Sequence, residues 1–164
     1  GDAFLSLPPM GPVDAPLQGW TLIRGNRYRQ TLDWIHDPEA NVPVLRLHSR
    51  DERPDFFLIS APLRTEGLAS LTLEGEARKS PDFTGSFAFV VTLIRTNEQG
   101  RTDRLDPFLL KEPLQLRRDG WRVARQTVSL PARSTEARLE IRGRFTGTVE
   151  IRRLTLSGRP LSSP

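Results

Sequence analysis

The chain of 164 residues contains no cysteine, which excludes disulfides, thiolate metal sites and a cysteine nucleophile. Lysine is nearly absent too: of 24 basic residues only Lys79 and Lys111 are lysine, leaving 22 arginines. No apolar run approaches the ~18 residues that a membrane-spanning helix needs. Apolar residues nowhere hold an i, i+3, i+4, i+7 pattern for three turns, so no helix is predicted. A Gly-x-Ser-x-Gly elbow and a phosphate-cradling glycine loop are both missing, which removes the commonest signatures of hydrolase and nucleotide chemistry.

Alternation is what the sequence has instead. Fourteen prolines and twelve glycines are spread along the chain, as suits many short elements joined by turns. Residues 1–18, with Pro8, Pro9, Pro12 and Pro16, read as an extended lead-in that packs on the body at most in its later part. A domain over residues 19–158 follows, then a tail over 159–164. Within the domain, Tyr28, Gln30, Leu32 and Trp34 share one parity, and Leu45 and Leu47 oppose Val44, Arg46 and His48. Leu71, Leu73, Gly75 and Ala77 point inward while Glu74 and Glu76 point outward. Residues 86–94 are apolar on both parities, as in a central strand covered on both faces; were one face open, it would floor a groove. Asp106-Pro107 and Glu112-Pro113 interrupt residues 105–118, which read as a long loop with a short strand near Leu114–Leu116. Inward parity slips between Ile151 and Leu154, which places a β-bulge at Arg152-Arg153. Eight to ten alternating strands with polar turns make an all-β sandwich or barrel.

Charge adds little direction. The formal net charge is +4 with both signs interspersed, which describes an ordinary solvated surface. Arg117, Arg118, Arg122, Arg125, Arg142, Arg144, Arg152 and Arg153 could converge on the later strands into a basic patch suited to an acidic polysaccharide or a nucleic acid. Neither exposed aromatics between the basic residues nor a known motif is evident, so nucleic acid is not the expected partner and an acidic glycan is favoured over it. His36, Asp37 and Glu39 lie close together with His48 as the second histidine, a poor metal signal without repeating ligand spacing. The opening Gly1-Asp2-Ala3 has no initiator Met and no signal pattern, so the chain reads as a piece of something longer.

The second half resembles the carbohydrate-binding modules of the galactose-binding-like jelly-roll group. The residues that carry the likeness are Gly120-Trp121 opening an alternating strand to Leu130-Pro131, Ala137–Ile141, and Gly147-Thr148-Val149 leading as a hairpin into Glu150–Leu156. Gly19-Trp20, Val44–His48 and Leu71–Arg78 follow the same order in the first half, so the likeness spans residues 19–157. It implies a two-sheet antiparallel jelly-roll sandwich and a non-catalytic module, an accessory part of a larger bacterial extracytoplasmic protein. Trp20 and Trp121 stand where that group keeps core tryptophans. Its structural calcium is not expected here, because Arg152 and Arg153 replace acidic residues and supply no oxygen ligands. No other cofactor is implied.

A sugar site needs an aromatic face for the C–H side of the ring and polar groups for its hydroxyls. Tyr28, Asp33 and Trp34 on one strand, with the outward Glu74 and Glu76, are the candidate ligand residues; no catalytic or metal-ligating residue is assigned. Trp34 shares parity with Leu32, so an inward position competes with an exposed one. Arg138, Glu140 and Arg142 point outward together, and would join Glu74 and Glu76 in one charged face if their strands paired. The partner expected is a polysaccharide held on a sheet groove or at the loop ends, beside the neighbouring domains of the parent chain. The alternative is a protein-interaction or spacer domain with no sugar ligand.

Overall fold

Strands form wherever the sequence alternates, and a computed structural model shows where each run goes. It describes residues 4–7, 20–24, 30–50, 56–112, 115–131 and 134–161, and these contain twelve strands and no helix. Among the described residues no helix is therefore long and apolar enough to cross a membrane, which says nothing of a β-barrel.

One sheet runs in the order β10 (Gln115–Leu116), β11 (Arg122–Ser129), β7 (Leu68–Lys79), β12 (Glu136–Pro160), β4 (Val42–Ser49) and β3 (Gln30–Asp37), with every pairing antiparallel. Beyond β4, β1 (Phe4–Leu7) lies along β12 opposite Leu154–Ser157. The lead-in thus engages the body through its early part, contrary to expectation, and its later part lies outside the described residues. The second sheet pairs β9 (Thr102–Lys111) with β8 (Thr84–Thr96), β8 with β12, and the far side of β12 with β5 (Phe56–Ser60) and β6 (Leu63–Arg64); β2 (Trp20–Arg24) closes on β5.

The 25-residue β12 belongs to both sheets. Glu136–Thr146 pairs with β8, and from Gly147 onward the same strand pairs with β4 and β7. The hairpin expected at Gly147-Thr148-Val149 is therefore a corner within one strand. Gly147 has φ +100°, and a Cβ there would lie 2.8 Å from the Phe83 Cα, so only glycine fits. Ser80 secures the corner, donating its N–H to Thr148 O (2.9 Å) and accepting Thr148 N–H on its Oγ (2.9 Å).

Two further irregularities follow from local chemistry. In β12 the register jumps from Arg152 opposite Glu76 to Thr155 opposite Glu74, with Arg153 at φ 52°: the bulge stands where the parity slip predicts it. In β9 the register jumps from Leu105 opposite Leu93 to Leu109 opposite Val91. Asp106-Pro107 falls inside that jump on an edge strand, where a missing N–H breaks no ladder. Residues 105–111 are thus strand, not part of the long loop that Asp106-Pro107 and Glu112-Pro113 suggest.

Between the sheets, Leu45, Leu47, Leu71, Leu73, Val149 and Ile151 of the first meet Phe87, Phe89, Val91, Leu139, Ile141 and Phe145 of the second. A Cβ at Gly75 would come within 2.8 Å of both Leu154 Cδ1 and Phe89 Cε2, so the glycine lets the sheets approach. Trp20 is buried in this core, as expected. On the other face of β8, Ala88, Val90 and Thr92 are buried too, and Thr92 and Ile94 border a small concavity of about 200 Å³ with Thr102, Asp103, Arg104, Arg138 and Glu140.

Candidate functional site

The parity that buries the leucines of β4, β7 and β12 sends their charged residues to the outer face of the first sheet. Register then sets opposite charges side by side: Glu150 lies across from Arg46 on one side and Arg78 on the other, and Arg152 lies across from Glu76. Glu150 Oε2 accepts from Arg46 Nη2 at 3.2 Å, and its Oε1 from Arg78 Nε and Nη2 at 3.1 and 2.9 Å.

The bulge concentrates this chemistry. Both Arg152 and Arg153 reach Glu76, with Arg152 Nη2 3.2 Å from Oε1 and Arg153 Nη1 3.3 Å from Oε2. Arg117, in the turn between β10 and β11, donates to the same Oε1. Glu76 is therefore a buried carboxylate held by three guanidiniums, which is how a buried charge is tolerated.

Two turns close the ends of the site. After β3, Asp37 Oδ1 accepts the N–H groups of Glu39 (3.0 Å) and Ala40 (3.2 Å), while Oδ2 accepts from Arg152 Nη1 at 2.5 Å. Between β10 and β11, Asp119 Oδ1 accepts Trp121 N–H (3.1 Å), and Oδ2 accepts from Arg117 (3.0 Å) and Arg152 (3.3 Å). Both carboxyls are held below the usual range, Asp37 chiefly by the Ala40 N–H and Asp119 chiefly by the Trp121 N–H, with Arg152 lowering each further.

Trp121 is buried, but not between the sheets as expected. It precedes β11 with the parity of Val123, which pairs with Glu76, and so stands on the outer face. Arg152 and Arg78 lie over its ring, their Cζ atoms 4.0 and 4.7 Å from the centroid. Together these groups surround a basin of about 550 Å³, walled by the turn after β3, by β4, β7 and β12, and by Asp119 and Trp121.

The candidate sugar residues are dispersed around it. Tyr28 lies outside the described residues. Trp34 points inward and packs half-buried against the core. Asp33 is exposed on β3 across from Arg46, Glu74 pairs with Arg125 at 2.9 Å, and Glu76 is buried beneath Arg152 and Arg153 without itself lining the basin. Arg138, Glu140 and Arg142 lie on the part of β12 that belongs to the second sheet, so they do not join Glu74 and Glu76 in one face. There Glu140 accepts from Thr92 (3.1 Å) and Arg142 (2.6 Å). His36 meets Asn41 Oδ1 at 3.0 Å and His48 meets Thr148 Oγ1 at 2.8 Å; the described residues hold no cluster suited to a metal. Sequence reasoning missed Asp37, Asp119 and Trp121 as parts of one site. Only the odd parity of Trp121 with Val123 and Arg125 signalled its face.

No family model matches the chain, and no curated protein matches its sequence. Solved structures do. The family 11 carbohydrate-binding module from Clostridium thermocellum, in complex with a β-1,3-1,4-mixed-linked tetrasaccharide, has a TM-score of 0.54 and 8% identity over 99% of this chain and 98% of its own. The enzymatically active domain of tailspike protein 4 from bacteriophage CBA120 has a TM-score of 0.65 and 11% identity over 87% of this chain, which spans only 20% of that protein. The CBM22-1–GH10 modules of Clostridium thermocellum endo-1,4-β-D-xylanase 10B, complexed with xylohexaose, give a TM-score of 0.52 at 11% identity, over 85% of this chain and 26% of theirs. The chain has the antiparallel β-sandwich jelly-roll fold found in carbohydrate-binding modules.

Proposed function

We propose that this domain is a non-catalytic carbohydrate-binding module that holds a polysaccharide in the basin on the outer face of the first sheet. The observation that carries the reading is the basin itself, a concavity rich in side-chain donors and acceptors, on a fold shared along almost its whole length with a module that carries a tetrasaccharide. Asp33 and Glu74, on the same face, are the flanking hydroxyl acceptors, and Glu76 positions the arginines. An accessory position in a larger extracytoplasmic protein goes with a polysaccharide ligand.

Affinity electrophoresis in gels containing neutral or acidic polysaccharides tests this. Retention by at least one polymer is expected, and Ala40→Trp, which plugs the basin without changing charge, abolishes it. A second reading, a spacer or protein-interaction domain, draws support from Trp121 being capped by arginines and Trp34 facing the core, so that neither offers an open aromatic platform. Retention by no polymer selects that reading.

A further inference from the structure

The ionic groups of the basin are layered. On the sheet face the carboxylates lie low, with side-chain exposures of 7% for Glu76, 13% for Glu150 and 15% for Asp37. The guanidiniums above them face solvent, at 44% for Arg46, 46% for Arg78 and 47% for Arg153. Of the residues that line the basin, the exposed acids are Glu39 and the half-exposed Asp119, both at the turns; the exposed Asp33 and half-exposed Glu74 stand on the strands outside that lining. A guanidinium carries five N–H donors, and these arginines commit few of them. Arg46 uses Nη2 and Arg153 uses Nη1, so among the described residues their other nitrogens have no protein acceptor. Trp121 is only 2% exposed, so a sugar ring cannot stack there while the arginines stay in place.

A neutral glycan binds such modules through an open aromatic face and scattered hydroxyl contacts. This basin offers instead a layer of planar, permanently charged forks, whose geometry matches a carboxylate. Resting on the reading above, we infer that the ligand is an acidic polysaccharide built with uronic acids, its carboxylates received by Arg46, Arg78 and Arg153. Glu39 and Asp119 at the turns accept neighbouring hydroxyls. The bulge is what makes this possible, since it brings Arg153 to the face already occupied by Arg152.

The test is affinity electrophoresis and calorimetry of the whole chain at about 0.15 M salt, where charge attraction beyond about 8 Å is screened. The probes are polygalacturonate, alginate, the same two polymers with their carboxyls reduced to alcohols, dextran sulfate and a single-stranded oligonucleotide. Retention by a uronate polymer is expected, with loss on carboxyl reduction and weaker retention by dextran sulfate and the oligonucleotide. Arg153→Gln and Arg46→Gln each weaken uronate binding roughly tenfold, as loss of a charge-assisted contact does. Arg101→Gln, the same charge change in a distant turn, alters it less than about twofold. Equal binding of the reduced polymers overturns the uronate inference and leaves the carbohydrate reading standing. An equal effect of Arg101→Gln, or equal retention by the sulfate polymer or the oligonucleotide, also overturns it, because bulk charge would then explain the binding. Retention by no glycan removes both. Circular dichroism and melting of each variant separate lost binding from lost folding.

Discussion

Arg152 covers Trp121, its Cζ 4.0 Å from the ring centroid, while its two terminal nitrogens reach Asp37, Glu76 and Asp119. One guanidinium thus ties together the turn after β3, the middle of β7 and the turn before β11. Its flat face is desolvated by the indole and its terminal nitrogens meet three carboxylates, which is how a charge can be held at 5% side-chain exposure, while its Nε is buried without an acceptor among the described residues.

Removing that hub strands buried carboxylates. Arg152→Met is expected to cost about 3 kcal/mol, read as a lower urea midpoint at unchanged slope. Adding Glu76→Met recovers at least half of the loss, since Arg117 and Arg153 are exposed enough to return to water. A single variant within about 0.5 kcal/mol of wild type would show that the turns are held by other contacts.

Acid should loosen the same cluster. Asp37 and Asp119 are lowered from 3.8 in the folded protein, so their contribution is complete above that value and is lost as pH falls through the lower folded values. The melting temperature is expected to stay level from neutral pH to about pH 5 and to drop below about pH 4. Asp37→Asn lowers the level region and shrinks the drop. A decline that starts near pH 6 would contradict the assignment to Asp37 and Asp119.

Arg153 offers a separation of stability from binding. Its φ of 52° is left-handed, a conformation that costs a side-chain-bearing residue roughly 1–2 kcal/mol, and its half-exposed ion pair with Glu76 returns little of that. Arg153→Gly is expected to match or exceed wild-type stability in thermal unfolding, by up to about 1 kcal/mol, while losing uronate binding. Arg153→Val destabilises, because a β-branched residue tolerates positive φ poorly.

Two glycines give a paired control on the corner of β12. Gly100 has φ +80° with open space around it, so Gly100→Ala carries backbone strain alone, about 1 kcal/mol. Gly147 has φ +100° with the Phe83 backbone 2.8 Å from a new Cβ, so Gly147→Ala adds a clash and is expected to cost at least about 2 kcal/mol. Equal denaturation midpoints for the two variants would contradict the corner assignment.

Strand-level features were readable because they are local. Leu71, Leu73, Gly75 and Ala77 alternate within one run, and the slip between Ile151 and Leu154 marks the bulge without knowledge of any partner. The site was less readable, because its parts meet only through register. Glu76 reads as an outward, wetted glutamate until β12 is laid beside β7 and Arg152 falls opposite it. Asp37 and Asp119 belong to turns far apart in the chain, joined by one guanidinium. Trp121 after Gly120 suggested core by resemblance, yet its parity with Val123 and Arg125 put it on the polar face. Asp106-Pro107 misled for the opposite reason. Proline was weighed as a break, whereas on the edge strand β9 it interrupts no hydrogen bond that the sheet needs.

The sharing of β12 between the sheets has a consequence for the order in which the protein can assemble. Six strands, β1, β4, β5, β6, β7 and β8, draw hydrogen bonds from residues 136–160, and each of them emerges from the ribosome before its partner does. Until that segment is available, the hairpins β3–β4 and β8–β9 can form locally, but the early strands keep unsatisfied edges and half of an apolar interface. Closure of the sandwich is thereby deferred to late synthesis and depends on pairings distant in sequence, which makes it slow and exposes the waiting strands to association with other chains.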